Sequence, residues 1–110
     1  MKKRLWAGAG RVDLKASEEC NAHIPDVSYK HCDIEIEAVL VTGDTGSVFV
    51  DVREGTKIHM SGVPAQCIGG VQGVVVRGSL LTVRLRNETA QRKMLGVAVL
   101  YTYETEARDV

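Results

Sequence analysis

The sequence has 110 residues, of which 45% are hydrophobic and 25% charged, and its formal net charge at pH 7 is zero. That length holds one domain burying roughly 65% of its unfolded surface, with no room for a second core, and the composition excludes wholesale disorder. Charge balance argues against a dedicated nucleic-acid binder, whose affinity comes from a basic surface that releases counterions.

The apolar content is mostly valine, leucine and isoleucine, with one Trp, one Phe and three Tyr. β-Branched bulk of this kind points to sheet. The chain opens on Met1-Lys2-Lys3-Arg4-Leu5-Trp6, followed by the small residues Ala7 to Gly10. Its charges resemble those of a leader, but the apolar run is broken at once by glycines and Arg11, and no run approaches the ~20 residues of a membrane span. The expectation is a protein kept in a cytosol-like compartment, without a membrane partner. Residues 1–10 read as a flexible basic arm in which Arg4, Leu5 and Trp6 grip a neighbour with Trp6 as anchor; a frayed terminus or a first edge strand is the alternative.

Arg11 to Ala16 alternates as an edge strand, and Ser17-Glu18-Glu19 is able to cap a helical turn. Asn21 to Lys30 contains Pro25 and reads as a loop or broken edge strand. Asp33 to Val41 is a strand with Ile34, Ile36, Ala38 and Leu40 on one face and Glu35, Glu37, Val39 and Val41 on the other. Thr42 to Gly46 is turn chemistry that supplies positive-φ glycines. Ser47 to Arg53 returns with Val48, Val50 and Val52 inward, and Thr56 to Ser61 follows, broken by Gly62 to Ala65. Gln66 to Val76 predicts one or two strands bent at Gly69-Gly70.

Ser79 to Glu104 reads as two strands folded back on each other through the polar loop Asn87 to Gln91. The first puts Leu81, Val83 and Leu85 inward and Thr82, Arg84 and Arg86 outward. The second, Met94 to Tyr103, is apolar on both faces and so must be covered on both. Residues 105–110 form a short polar tail. Eight or so short strands split by Gly, Asp and Ser turns predict an all-β fold, an antiparallel β-sandwich of jelly-roll type spanning residues 11–104, with a small barrel as runner-up.

Charge is unevenly distributed. Glu18 to Glu54 carries nine acids against Lys30 and Arg53, whereas Arg77 to Lys93 carries five bases against Glu88. Solvated faces account for this, as does pairing between the two regions.

The chemical motifs are sparse. Cys20, His23, His31 and Cys32 are four soft ligands within thirteen residues, but adjacent His31 and Cys32 point to opposite faces of an extended segment, so no metal is assigned. Three cysteines, an odd number, fit reduced thiols better than a disulfide framework. Cys67 and His59 lack a visible third group for nucleophilic catalysis. Gly69-Gly70-x-x-Gly73 has no following Lys-Ser/Thr for a phosphate loop. Glu35 and Glu37 share a face and read as solvated or as partners of Arg84 and Arg86. No catalytic residue, cofactor or small-molecule substrate is assigned, and without interleaved aromatics the basic side chains do not make a single-strand nucleic-acid surface.

Association is the remaining function class. Gly96 and Ala98, placed beside Thr82 and Arg84 by the hairpin, let another sheet approach closely, and an uncovered apolar face is a liability in a monomer. The candidate interface is Arg4, Leu5, Trp6, Arg84, Arg86, Arg92, Met94, Gly96 and Ala98, and the expected state a homo-oligomer.

The closing pattern, Leu85-Arg86-Asn87, Glu88-Thr89-Ala90 and then Gly96-Val97-Ala98-Val99-Leu100-Tyr101-Thr102-Tyr103-Glu104, resembles the last hairpin of small β-sandwich virion proteins of bacteriophages, including jelly-roll capsid and head-decoration proteins. It covers about a quarter of the chain. The resemblance implies the sandwich architecture, a non-enzymatic structural role in a virion assembled in the host cytoplasm, other virion proteins as partners, and a terminal arm clamping neighbours at Lys3 to Trp6. A loop-based binding module for protein or carbohydrate, and a small metal- or thiol-dependent enzyme, are the alternatives.

Overall fold

Strand partners in this chain are matched from the outside inwards. A computed structural model describes residues 2–22, 24–67 and 72–104. Strand β1 (Lys2–Leu14) pairs antiparallel with β8 (Lys93–Glu104), and β2 (Glu19–Ala22) with β7 (Leu81–Asn87). Inside these, β3 (Asp33–Gly43) pairs with β6 (Val74–Arg77) and β4 (Val48–Glu54) with β5 (Lys57–Pro64). Contacts of β3 with β8 and of β4 with β7 join the four pairs into two sheets. Sheet A has the order β1-β8-β3-β6 and sheet B the order β2-β7-β4-β5. This is the two-sheet jelly roll, an antiparallel β-sandwich.

The nesting corrects the predicted closing hairpin. β7 and β8 are not paired; they lie in different sheets, and the segment between them crosses the end of the sandwich. Asn87, fully buried, builds that crossing. Its Nδ2 donates to the carbonyls of Lys15 (3.0 Å) and Gln91 (2.7 Å), while its Oδ1 accepts from Thr89 N–H (3.1 Å) and the Thr89 hydroxyl (2.7 Å). One amide thus fixes the loop and ties it to the end of β1. Of the sequential strand pairs, only β4 and β5 form a hairpin, through Gly55 at φ +58°.

Residues 2–10 are the first part of β1, paired residue by residue with the second half of β8 from Lys2–Glu104 to Gly8–Ala98. The segment read as an arm is therefore an edge strand, continuous with the strand expected from Arg11. Beyond it, Ser17 at φ +58° makes a turn rather than a helix cap and leads into β2. Pro25–Ser28 is one helical turn, α1, with Val27 buried in the core. The bend placed at Gly69-Gly70 and the tail at 105–110 lie outside the described residues.

Two bulges decide which side chains face inwards. In β3 the register against β8 shifts between Ile36 and Ala38, so Glu37 is the extra residue. Ile34, Ile36, Val39 and Val41 are buried, and Ala38 and Leu40 turn outwards, opposite to uninterrupted alternation for Ala38 to Val41. A matching shift in β1 between Gly8 and Gly10 keeps Ala7, and later Leu14, inside. In sheet B, β5 continues through Gly62 at φ +66° to Pro64 where the sequence predicts a break. Ser61 and Gly62 bulge opposite Asp51, whose Oδ1 accepts the Gly62 N–H at 2.7 Å; an edge strand tolerates both glycine and proline.

The core is made of Leu14, Ile34, Ile36, Leu95, Val97, Val99 and Tyr101 from sheet A against Val48, Val50, Val52, Met60, Val83 and Leu85 from sheet B. At the turn after β3, Gly43 has φ +100°, and a Cβ there would lie 2.4 Å from the Met94 carbonyl oxygen. Only glycine lets β3 end so close to β8. The left-handed residue closing that turn is Ser47 (φ +54°) rather than Gly46.

Candidate functional site

β8 alternates strictly, with Leu95, Val97, Val99 and Tyr101 in the core and Met94, Gly96, Ala98, Leu100 and Thr102 on the outer face of sheet A. The register places β1 and β3 on either side of it in rows. Trp6 and Ala38 flank Leu100, Gly8 and Leu40 flank Ala98, and Arg11 and Thr42 flank Gly96. Trp6 is 56% exposed, Leu40 49% and Met94 42%, whereas Leu100 between them is 9% exposed. Gly8, Gly96 and Ala98 floor a shallow depression of about 250 Å³ bounded by Leu40 and Thr42, and a second, wider hollow continues from Gly96 towards Met94 and Arg11. The molecule's only Trp therefore stands on the surface beside a trough of small residues.

A polar row closes one end of this face. Arg4 Nε lies 2.8 Å from Glu37 Oε2, and the Thr102 hydroxyl donates to the same oxygen at 2.6 Å. Glu35, paired in register with Thr102, is on the same face. The β3 bulge brings Glu37 into this row.

The outer face of sheet B has a different chemistry. Arg84 donates from Nε to Glu19 Oε2 at 3.1 Å, Arg53 Nη2 reaches Asp51 Oδ2 at 3.1 Å, and Arg86 Nε lies 3.0 Å from Glu88 Oε1 with its guanidinium over the Phe49 ring. Burial pushes the Asp51 carboxyl up, but the Gly62 and Ser61 hydrogen bonds and the charges of Arg53 and Arg86 outweigh it, so its pKa lies below the ordinary carboxylate value.

The nine candidate interface residues are thus divided. Arg4, Trp6, Met94, Gly96 and Ala98 share the outer face of sheet A. Leu5 alternates to the opposite side, in register with Tyr101. Arg84 and Arg86 are on the outer face of sheet B, across the sandwich, because β7 and β8 do not pair. They are also not partners of Glu35 and Glu37, whose face is in the other sheet. Arg92, in the crossing loop, is bound to Asp13 through both carboxylate oxygens. Leu40, Ala38 and Gly8 join the surface unpredicted; the lapse from Ile-Glu alternation into Ala-Val-Leu-Val after Glu37 is the sequence trace of the bulge that exposes Leu40.

The potential ligands and nucleophiles are scattered. Cys20 is half-buried in β2 beside core residues, and burial raises its thiol pKa, with a further push from Glu18. His31 and Cys32 are exposed ahead of β3. His23 and the Cys67 side chain lie outside the described residues. Among the described residues no group of three or more His, Cys, Asp or Glu is arranged to hold a metal ion, and no helix is long and apolar enough to cross a membrane. His59 Nε2 sits 3.1 Å from Glu54 Oε1, and the other Glu54 oxygen accepts the Arg77 N–H at 2.9 Å. That pair braces β4 and β5 against the end of β6. No family model, curated protein or solved structure matches this chain.

Proposed function

We propose that this protein is a non-enzymatic structural subunit of a virion, of capsid, decoration or cement type, which associates with further copies through the outer face of sheet A. The observation that carries the association is the exposure of Trp6, Leu40 and Met94 on one sheet face, beside a depression floored by Gly8, Gly96 and Ala98. Exposed aromatic and aliphatic bulk beside a recess is the composition of an interface core. The virion assignment is supported by the jelly-roll order together with the resemblance of Leu85 to Glu104 to phage virion proteins; architecture alone carries no function. The rest of the virion, other structural proteins included, supplies the remaining partners. On a repeating lattice, modest contacts of this kind gain strength by multivalency.

The test is the native mass of the full chain, by size exclusion with light scattering across a concentration series. A mass of two or more chains supports the reading, and a monomer at every concentration, up to the millimolar range, overturns it. Deleting residues 1–10 does not serve, because it strips most of the paired edge from β8 and tests folding instead.

A further inference from the structure

We infer that the outer face of sheet A is self-complementary and docks on a second copy of this chain about a two-fold axis running along β8. The inference rests on the association proposed above and specifies its geometry. A two-fold contact uses the same patch on both partners, so each feature must find its complement within that patch. With the axis along β8, each β8 faces its counterpart and β1 of each copy lies over β3 of the other, row on row. In the row of Leu100, Trp6 meets Ala38; in the row of Ala98, Leu40 meets Gly8. Trp6 and Leu40 thus each fall on a small residue, twice per dimer, while on β8 itself the flexible Met94 meets its own counterpart.

The polar row agrees. Arg4 lies opposite Glu35 of the second copy, in the row of Thr102. Within one chain this row holds one guanidinium and two carboxylates, and Arg4 is already on Glu37. Glu35 has no ion pair among the described residues. The two-fold gives it a cation without taking Arg4 from Glu37, since a guanidinium has five donors in a planar fork. The other in-plane two-fold, across the strands, fails at the polar row: through the row of Ala98 it stacks Leu40 on Leu40 and puts Arg4 over Asp13, which already holds Arg92, and between the rows of Ala98 and Leu100 it puts Arg4 over Arg11. Sheets facing each other align within about 30°, at ~10 Å separation, which the trough between β1 and β3 accommodates.

Two variants read out this geometry. Arg4→Glu sets carboxylate against carboxylate in a homodimer, and Glu35→Arg sets guanidinium against guanidinium, so each alone is expected to weaken self-association about tenfold or more. Mixed together they form both cross-copy pairs again, and light scattering should show a one-to-one heterodimer near twice the 12.0 kDa chain mass. Both side chains are exposed, and thermal unfolding of each variant provides the folding control. Ala38→Trp mixed with Trp6→Ala applies the same logic to size, each being defective alone and complementary together.

If the wild-type chain assembles but neither mixture restores assembly, or each single variant assembles as the wild type does, this geometry is overturned while the association reading stands. A wild-type monomer at all concentrations overturns both.

Discussion

The two outer faces of the sandwich each belong to a four-stranded antiparallel sheet, yet they are finished in opposite ways. On sheet B each outward arginine has an acid: Arg84 with Glu19, Arg53 with Asp51 and Arg86 with Glu88. On sheet A the central positions are Trp6, Leu40, Leu100, Gly96 and Ala98, with charge at Arg11 beside Gly96 and in the polar row of Arg4, Glu35 and Glu37. A face that neutralises its own charges is complete in water. A face with exposed bulky apolar groups around a glycine floor has the composition of an interaction site. What separates them is local: the bulges at Glu37 and Gly8/Gly10 send Leu40 and Trp6 outwards on either side of β8, while the β5 bulge delivers a backbone donor to Asp51.

The largest expected effect breaks the proposed contact face on sheet A. Gly96→Arg fills the trough with a charged side chain, and association should weaken by about 100-fold or more, read as a fall in native mass with an unchanged far-ultraviolet dichroism spectrum. The next affects what both sheets share. Asn87→Ala removes the donor for the Lys15 and Gln91 carbonyls and the acceptor for Thr89, and should cost about 2 kcal/mol in chemical unfolding.

Smaller effects belong to sheet B. Asp51→Asn should cost about 1–2 kcal/mol at neutral pH by weakening hydrogen bonds to a charged acceptor, and should flatten the acid limb of the stability curve. The folded pKa of Asp51 is depressed, so its contribution is full above the unfolded value, about 3.9, and is lost as pH falls through the lower folded value. A stability profile of the variant parallel to the wild type from pH 6 to pH 2 would contradict this. Smallest is Arg84→Ala, which breaks an exposed pair with Glu19 and should change stability by less than about 0.5 kcal/mol, with no change in native mass. A fall in mass with Arg84→Ala would place the contact on the wrong sheet.

Local pattern made the strands legible but not their partners. Asp33 to Gly43, Val48 to Glu54 and Leu81 to Asn87 announce themselves by valine and isoleucine alternating with charge, and Met94 to Tyr103 by being apolar on both sides. Pairing was hidden because every partnership except β4 with β5 joins distant parts of the chain, whereas adjacency in sequence argues for hairpins. Hence a hairpin reading groups Arg84 and Arg86 with Gly96 and Ala98, although the core lies between them. The face itself is half legible: alternation puts Met94, Gly96 and Ala98 on one side of their strand and Trp6 stands out as an anchor, though on an arm, whereas Leu40 and Ala38 require the bulge at Glu37.

The outside-in matching of strands also sets a timetable. During synthesis at roughly 5–20 residues per second, β1 emerges first and its partner β8 last, and β3 likewise waits for its contact with β8. Until β8 is made, the rows that carry Trp6 and Leu40 have no central strand to hold them in one plane. The outer face of sheet A, on which the proposed association rests, thus comes into being only with β8, and before then nascent chains on neighbouring ribosomes have no assembled face to offer one another.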